Sequence, residues 1–463
     1  MTVLWTSGEI ASATGGAAKA PFAVSGVAFD SREVTEGDLF VAMKGETTDG
    51  HRFIDKAFAQ GAAGAIVSEP VDHPHVLVPD SAVALEALAR ASRARMEGKV
   101  IGVTGSVGKT GTKEALFQAL DRSHPGEAHR SVKSYNNHVG VPLSLSRMPR
   151  DAAFGIFEMG MNHAGELAAL TRQVRPHVAI VTAIAPAHIA FFGTEAAIAE
   201  AKAEIFEGLE PGGTAIIPYD SPHVAILYAK AERHAARVLT FGFGEEADVR
   251  AREMVPAANG GTLVTASLPD AELCFTVAAP GEHWVSNALA VLAAVNVLGA
   301  DLAAAGLALA EMPGLAGRGE RRILPVPGGE ALLIDESYNA NPLSMAATLK
   351  QLGRENAERR IAVLGGMREL GERSAELHAG LAEPLAAGQV DYAILVGEEI
   401  APLADALGGT VRFAHVPDTA AATGLLQSEM RAGDTILVKG SNGIGLSRLV
   451  AALDEASRNG EGN

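Results

Sequence analysis

The sequence predicts an α/β protein of three domains, with parallel sheets in the central and C-terminal domains. A chain of 463 residues is too long to fold around one hydrophobic core. Short apolar runs alternate with helix-like stretches along most of the chain, which is typical of sheets built from strand–helix–strand units. A glycine-rich loop also follows one of these runs and precedes a helix, where parallel α/β sheets bind phosphates.

Composition and charge limit the possible function classes. Apolar residues make up 48% of the chain and charged residues 20%, which is ordinary for a folded protein in water. The net charge of −17 argues against nucleic acid as a partner. The single cysteine, Cys274, has no partner for an intramolecular disulfide and fits a reducing compartment. The N-terminus lacks a signal-peptide pattern, and Pro186 and His188 interrupt the most apolar stretch, so we expect a cytoplasmic protein without a membrane span.

Residues 1–98 are predicted to form a small N-terminal α/β domain. Strand-like runs occur at residues 38–45, 62–69 and 75–80, with one helix near Asp55–Gln60. An Ala-rich helix follows, ends at Gly98 and connects to the next domain.

The rest of the chain is predicted to form two larger α/β domains. Residues 99–317 form a central domain with a parallel, doubly wound sheet, and residues 318–463 form a C-terminal, Rossmann-like domain. The predicted strands of the central domain are residues 99–104, 153–160, 177–184 and 213–218, and those of the C-terminal domain are 330–335, 359–366, 391–397 and 434–440.

The loop "VTGSVGKT", Val103–Thr110, is predicted to bind the phosphates of a nucleotide, although it lacks the first glycine of the usual G-x-x-x-x-G-K-[ST] spacing. Gly105 and Gly108 allow backbone N–H groups to turn inward, Lys109 supplies charge, and Thr110 offers a hydroxyl to Mg²⁺. The other candidate nucleotide-binding residues of this segment are Thr104, Ser106, Val107 and Gly111.

Two further side chains follow strands of the same predicted sheet. Glu158 lies at the end of one apolar run, and His188 follows the next, so both belong to the edge where open α/β sheets bind ligands. A carboxylate in this position can hold Mg²⁺ directly or through water. Alone, Glu158 could equally be a surface residue at a strand end.

Lys202 lies on the apolar stripe of a predicted helix that Thr194 can cap. It follows Ile198 by four residues and precedes Ile205 by three, which directs it toward the core. Burying a lysine is costly unless it is paired or chemically altered. From the residues alone, full burial of the Lys202 side chain is less frequent than an arrangement in which its aliphatic part lies on the core and its amine reaches water.

Taken together, these residues resemble the Mur ligase family, the ATP-dependent amide-forming enzymes of peptidoglycan precursor assembly. The motif T-G-S-V-G-K-T, Glu158 at a strand end, and A-H followed fourteen residues later by Lys202 carry the resemblance. "NNHVGVPLSL", "GEHWVSNALA" and "GLAGRGER" agree with it, and "DSREVTEGDLFVAMKG" resembles the uridine-nucleotide-binding module. "DESYNANPLSM" and "AVLGGMRELGERSAELH" resemble the branch that adds D-alanyl-D-alanine to a UDP-N-acetylmuramoyl-tripeptide.

The resemblance implies ATP, two Mg²⁺ ions and a set of site residues. Lys109 and the loop would hold the ATP phosphates, Thr110 and Glu158 one Mg²⁺, and His188 and Lys202 the second. Lys202 would then carry a CO₂-derived carbamate, since a bare ammonium cannot bind a cation. The resemblance further implies adenine contact by Asn287, phosphate contact by Arg318 on domain closure, a ribose or closing contact by Asp335, and binding of the UDP-substrate by Ser31, Arg32, Lys44, Asn136 and Asn137.

Several departures from the family pattern leave alternatives open. Val107 replaces a polar loop residue, Trp284 replaces an Asn of the adenine motif, and Asn442 replaces an Arg.

Alternative functions remain open. The enzyme could add another amino acid, the third stem residue or glutamate. From a different class, the chain could be a P-loop kinase or GTPase, or a nucleotide-binding scaffold without catalysis. The expected partners are the UDP-tripeptide and D-alanyl-D-alanine, and the expected state is a monomer.

Overall fold

The computed structural model describes residues 2–45, 48–187, 189–257, 261–312 and 314–460. Three sheets draw their strands from residues 17–77, 99–277 and 320–439, and helices cover them, which confirms the α/β class with three domains. The predicted boundaries at 98/99 and 317/318 stay predictions. In the part of the chain that is described, no helix is both long and apolar enough to cross a membrane.

The N-terminal domain is a small sheet with short helices. Its elements are β1 (Trp5–Thr6), α1 (Ser7–Thr14), β2 (Ala17–Ala18), β3 (Ala23–Val24), β4 (Gly26–Ala28), β5 (Asp38–Val41), a 3₁₀ turn (Gly50–Phe53), α2 (Ile54–Ala59), β6 (Gly64–Val67), β7 (His75–Leu77) and α3 (Ser81–Arg95). The sheet has the order β2–β7–β6–β5–β4 and is parallel except at β2, while β1 and β3 form a separate antiparallel pair.

Helix α3, the predicted Ala-rich connection, begins after the cap residue Asp80 and ends three residues earlier than predicted. The side chain of Asp80 accepts hydrogen bonds from the N–H groups of Ala82 and Val83, which satisfies donors of the first turn. The helix ends at Arg95 rather than Gly98, because Met96 takes an extended conformation and buries its side chain in the core of the next domain.

The central domain carries the largest sheet described. Its elements are β8 (Lys99–Thr104), α4 (Lys109–Ser123), β9 (Ala128–Arg130), α5 (Gly140–Ser146), β10 (Phe154–Glu158), α6 (Glu166–Val174), β11 (Val178–Val181), α7 (Ile189–Phe192), α8 (Glu195–Ala203), a 3₁₀ turn (Glu204–Gly208), β12 (Thr214–Pro218), α9 (Val224–Ala231), β13 (Arg237–Gly242), β14 (Val249–Pro256), β15 (Thr262–Leu268), β16 (Ala271–Val277), α10 (Glu282–Val297) and α11 (Leu302–Glu311). The strand order is β16–β15–β14–β13–β12–β11–β8–β10–β9.

The strand order of this sheet places a ligand edge, the edge where open α/β sheets bind ligands, at the carboxyl end of β8. Strand β8 pairs in parallel with β10 on one side and β11 on the other, so the chain reverses its direction of winding there. Glu158 pairs with Val103, and Val181 with Thr104, so the ends of the three strands lie side by side.

Strands β14, β15 and β16 extend this sheet with antiparallel pairs, and the sequence did not predict them. Burial along β15 alternates, and β16 is the edge of the sheet. Half-buried antiparallel strands lack the continuous apolar run that marks a parallel strand buried on both faces.

The C-terminal domain is a second largely parallel sheet. Its elements are β17 (Glu320–Val326), β18 (Gly329–Glu336), α12 (Pro342–Leu352), β19 (Arg359–Gly365), a 3₁₀ turn (Gly371–Arg373), α13 (Ser374–Ala379), α14 (Ala382–Ala387), β20 (Tyr392–Val396), α15 (Ala401–Leu407), β21 (Arg412–Val416), α16 (Thr419–Glu429), β22 (Asp434–Lys439), a 3₁₀ turn (Asn442–Ile444) and α17 (Leu446–Gly460). The order is β17–β18–β22–β19–β20–β21, with only the β17–β18 pair antiparallel among these described strands.

Apolar clusters cover both faces of the central sheet. On one face, Leu116 of α4 and Leu289 of α10 belong to the same cluster as Val103 of β8. The cluster on the other face contains Phe157 and continues into the C-terminal domain. The hydrophobic core thus joins the central and C-terminal domains beside the ligand edge of the sheet.

Candidate active site

The glycine-rich loop between β8 and α4 is held by the segment that follows β11. Ser106 N–H donates to Ala183 O at 2.8 Å, and the Ser106 hydroxyl exchanges hydrogen bonds of 3.0 Å with the backbone of Ala185. Thr182 Oγ1 donates to Val107 O at 2.5 Å. The loop is therefore fixed between β8, which it follows, and the segment after β11.

Each of the two loop glycines is required for its own steric reason. A Cβ on Gly105 would lie 1.9 Å from Thr182 Oγ1, so the loop packs too closely there for any side chain. Gly108 has φ +88°, and its Cβ would lie 2.6 Å from Asn287 Oδ1. Val103 occupies the position of the first glycine in the usual spacing, and it is a buried core residue of β8.

We expect Gly105→Ala to weaken nucleotide binding by at least about 10-fold, because the new methyl group forces the loop away from Thr182. Gly126→Ala is the matched control, since Gly126 also has positive φ (+77°) but has nothing within 4 Å of its Cβ. Titration with a fluorescent ATP analogue measures both variants. Equal affinities for the two would contradict the steric role of Gly105.

Lys109 and Thr110 begin helix α4 at the loop. Lys109 Nζ donates to Gly105 O at 2.7 Å, so the ammonium lies inside the loop. Burial lowers the pKa of Lys109; the nearby charge of Glu158 opposes this shift and that of Arg318 adds to it.

The Glu158 carboxylate at the end of β10 is almost wholly buried and hydrogen-bonded on both oxygens. Thr110 Oγ1 donates to Oε2 at 2.8 Å, and Asn136 Nδ2 donates to Oε1 at 2.8 Å. The Glu158 N–H donates to Ser131 Oγ at 3.2 Å. The predicted metal carboxylate is therefore fixed directly beside the phosphate loop.

Lys202 lies on α8 with only 1% of its surface exposed. Thr194 caps α8 by accepting a hydrogen bond from Ala197 N–H, as the sequence predicts. Burial lowers the pKa of the Lys202 amine well below its usual value, and the charge of Lys109 lowers it further. Within the described residues, no hydrogen bond or ion pair to its amine is found.

Arg318 lies in the connection between the central and C-terminal domains, with a glycine in the left-handed region on each side. Its guanidinium stacks 4.0 Å from the ring of Tyr338 and donates to Ser134 Oγ at 3.2 Å, across the two domains. Asp335, predicted to contact ribose or to help closure, accepts hydrogen bonds of 3.0 Å from Gly317 N–H and Ser337 N–H. Its carboxylate thus fixes the backbone that presents Arg318.

These groups surround one cavity of about 620 Å³ between the central and C-terminal domains. From the central domain its walls include Ser106, Lys109, Asn136, Glu158, Lys202 and Asn287. From the C-terminal domain they include Arg318, Tyr338, Asn341, Lys350 and Lys439. Loop, carboxylate and lysine therefore face one space that has polar groups on both sides.

The other predicted site residues lie elsewhere. Arg32 forms an ion pair with Asp30, and Lys44 one with Glu69, both on the surface of the N-terminal domain, while Ser31 is buried there. Asn137 Oδ1 accepts hydrogen bonds from Val139 N–H and Gly140 N–H at the start of α5. His188, the predicted ligand of the second cation, lies outside the described residues.

Sequence reasoning missed several residues of the cavity. In the sequence Trp284 is only a departure from the family pattern, yet its ring lies 3.1 Å from the position of a Cβ on Gly111 and 3.4 Å from one on Gly319. Lys439 is buried and donates to Glu336 Oε2 at 3.2 Å and to Asn339 O at 3.1 Å. A lysine beside the carboxyl end of a predicted parallel strand, residues 434–440, was the signal that could have found Lys439.

Comparisons with known proteins agree with this architecture. Family models match three consecutive stretches: the catalytic domain of the Mur ligase family at residues 23–98, the Mur ligase middle domain at 103–295, and the Mur ligase glutamate ligase domain at 321–442.

Curated relatives and solved structures match nearly the whole chain. A UDP-N-acetylmuramoyl-tripeptide–D-alanyl-D-alanine ligase of Escherichia coli (strain K12) is 34% identical over 94% of this chain and 95% of the relative, and one from a Synechocystis species is 35% identical over 93% and 92%. A crystal structure of MurF from Acinetobacter baumannii has a TM-score of 0.84 at 31% identity, covering 97% of this chain and 99% of its own. MurF ligase from Thermotoga maritima in complex with ADP has a TM-score of 0.78 at 28% identity, with coverages of 94% and 98%.

The phosphate loop, the strand-end carboxylate and the buried lysine carried the resemblance in the sequence, and they lie around one cavity in the structure. The family models follow one another along the chain, and relatives above 30% identity cover more than nine-tenths of it. This chain therefore belongs to the Mur ligase family.

Proposed function

We propose that this chain is an ATP-dependent ligase that joins D-alanyl-D-alanine to UDP-N-acetylmuramoyl-tripeptide during peptidoglycan precursor synthesis. The observation that carries the proposal is the cavity in which Lys109, Glu158, Lys202 and Arg318 meet. The names of the curated relatives support the choice of substrates, and the ADP complex of the Thermotoga maritima ligase supports a nucleotide as ligand.

The residues present fit an ATP–Mg²⁺ complex. The inward-turned loop and Lys109 suit the phosphates, and Asn287 touches the loop at Gly108 and would contact the adenine. Thr110 and Glu158 offer oxygen ligands, as Mg²⁺ prefers. In the described residues no cluster of three His, Cys, Asp or Glu side chains could hold a metal alone, so substrate phosphates and water would complete the coordination.

In the proposed reaction a carboxylate oxygen of the substrate takes the γ-phosphoryl group of ATP and ADP leaves, which gives an acyl phosphate. The incoming amine then attacks the acyl carbon, loses a proton and displaces phosphate. Lys109 and the loop N–H groups stabilise the charge that develops on the transferred group. Arg318 adds positive charge from the far side of the cavity. The C-terminal wall excludes water that would otherwise hydrolyse the acyl phosphate.

Lys202 would serve a second cation as a carbamate. Burial lowers the pKa of this amine and so increases its neutral, CO₂-reactive form. The lone pair of the neutral amine attacks the carbon of CO₂, and the nitrogen then loses a proton to leave an anionic carbamate. That anion supplies the oxygen ligands that an amine lacks. His188, which follows the neighbouring strand β11, would complete this second site.

The test is phosphate release from ATP with a panel of UDP-muramoyl peptides and amine substrates. We expect turnover only when UDP-tripeptide and D-alanyl-D-alanine are both present, because the amine must capture the acyl phosphate. Glu158→Gln, which cannot supply the metal carboxylate, controls for a contaminating ATPase. Full turnover with UDP-dipeptide and a single diamino acid would place the enzyme one step earlier and overturn the proposal.

A further inference from the structure

Helix α4 carries a second lysine that the proposed chemistry does not use. Lys113 lies one turn after Lys109, and its side chain is fully buried. Its Nζ donates to Ser131 O at 2.9 Å and to Lys133 O at 2.7 Å, and lies 3.0 Å from Glu114 Oε1. A buried ammonium is retained only where such partners compensate for its lost hydration.

The two carbonyls belong to residues 131–136, which we call the bridging segment. This segment reaches the metal carboxylate twice, because Ser131 Oγ accepts from Glu158 N–H and Asn136 Nδ2 donates to Glu158 Oε1. Its backbone is strained at Lys133, which has φ +53° although it is not glycine. The Lys113 ammonium bonds the carbonyl of that residue and thereby stabilises the strained turn.

The bridging segment also meets both other domains. Its Ser134 Oγ accepts a hydrogen bond from Arg318 at the C-terminal connection. Its Tyr135 Oη donates to Glu33 Oε1 of the N-terminal domain at 2.7 Å, and Lys133 forms an ion pair with the same carboxylate. The segment fixed by Lys113 is thus in contact with all three domains.

We propose that Lys113 is a positioning residue: it holds the bridging segment against the nucleotide-binding helix, and so orients Asn136 and Glu158 for the ATP-bound cation. The inference rests on the proposed function for its catalytic consequence. Its structural part, the fixing of residues 131–136, holds whichever substrate the enzyme uses. Loss of Lys113 leaves two carbonyls unpaired and releases the strained turn, so Asn136 no longer holds the carboxylate in one orientation.

The test combines Lys113→Met, which keeps the length of the side chain and removes its donors, with hydrogen exchange of the free protein. We expect exchange to rise at residues 131–136 and at the Glu158 amide while distant strands stay protected. Affinity for a fluorescent ATP analogue in the presence of Mg²⁺ should fall about 10- to 100-fold, as for other residues that orient a metal ligand. Lys99→Met, at the exposed amino end of β8, should change neither.

A double-mutant cycle separates positioning from general destabilisation. Because Lys113 acts through Asn136, Lys113→Met should add little to the affinity loss of Asn136→Ala. Ser131→Ala keeps the buried ammonium and removes only the hydroxyl that accepts from Glu158 N–H, which is the other contact of the bridging segment with Glu158. If Lys113→Met does not fold, this variant tests whether the segment orients the carboxylate. Three results would overturn the proposal. The first is a hydrogen exchange rate that rises uniformly over the protein in Lys113→Met, and the second is a loss of ATP-analogue affinity that is fully additive with that of Asn136→Ala. The third is parent-like affinity for the ATP analogue in folded Ser131→Ala. The exchange result does not depend on the substrate assignment, so it can fail while the proposed function stands.

Discussion

Replacing Lys202 with methionine is expected to lower turnover at least about 100-fold, since loss of even an outer partner of a metal ligand costs 10- to 100-fold. The same change is expected to raise the melting temperature at pH 7 in CO₂-free buffer. The unfolded chain holds a proton on Lys202 up to about its usual pKa of 10.5, whereas burial lowers the pKa in the folded state. The folded state therefore holds this proton less tightly than the unfolded chain, which costs stability below pH 10.5, and the cost disappears when methionine replaces the amine.

The sign of the pH dependence follows from this difference in proton binding. Between the lowered pKa of folded Lys202 and 10.5 the unfolded state binds more protons, so the parent gains stability as pH rises through that window. The advantage of Lys202→Met should therefore shrink toward pH 10.5. Lys230→Met, on the neighbouring helix α9, is the control and should keep parent-like turnover.

Lys202→Arg should not restore activity, because a guanidinium stays cationic and cannot form a carbamate. Lys202→Ala should recover part of its turnover when acetate is added, because acetate can occupy the space that the proposed carbamate would fill. Parent-like turnover by Lys202→Arg, or an active parent without a ¹³CO₂-derived carbamate signal, would remove Lys202 from the second cation site.

Lys109→Ala is expected to lower turnover by on the order of 10²–10³-fold, the cost of removing a preorganised donor from a developing charge. Its ammonium donates to Gly105 O within the loop, and Lys109 does not belong to the hydrophobic clusters of the described residues, so the melting temperature should change little. Single-turnover measurement of acyl-phosphate formation separates this loss from slow product release. Lys99→Ala removes an exposed amine from the amino end of β8, the strand that precedes the loop, and serves as control.

A Lys109→Ala variant that turned over near the parent rate would mean that residues 105–110 do not hold the transferred phosphate. A variant that unfolds at lower temperature would instead show that the hydrogen bond to Gly105 stabilises the loop in the free protein.

The sequence was most informative where one physical rule dominates. Continuous apolar runs identified β8, β10, β11 and β12, because a parallel strand covered by helices on both faces has no polar side. Residues that follow such runs meet at one edge of the sheet, which placed Glu158 at the same edge as the loop, and the pairing of β8 with β10 in the structure brings the two together. Helical spacing placed the stem of Lys202 on the core side of its helix, but spacing alone favoured an amine in water, and only the family resemblance indicated the burial that the structure shows. The catalytic roles of these residues stay predictions.

The rest depends on contacts between elements distant in the chain. Nothing near Arg318 in the sequence indicates that its guanidinium reaches Ser134, since that contact requires the relative placement of two domains. Asp335 resembles a nucleotide-binding residue because it lies at the end of a predicted strand. In the structure this end faces the connection that carries Arg318, and the Asp335 carboxylate accepts a hydrogen bond from the Gly317 N–H there. The sequence does not single out Lys113, because a lysine after a phosphate loop is most often a solvated residue of an exposed helix face.

The cavity between the two domains has a consequence for inhibitor design. A compound that contacts only the phosphate loop and Glu158 binds the central domain alone, so its partners are the same wherever the C-terminal domain lies. A compound that also reaches Tyr338 or Lys350 binds only when the central and C-terminal walls of the cavity are together. The apparent dissociation constant of the second kind rises in inverse proportion to the fraction of molecules with the walls together, and each tenfold fall in that fraction weakens binding by about 1.4 kcal/mol. Screening against the enzyme with UDP-substrate bound and screening against the free enzyme should therefore select chemically different compounds.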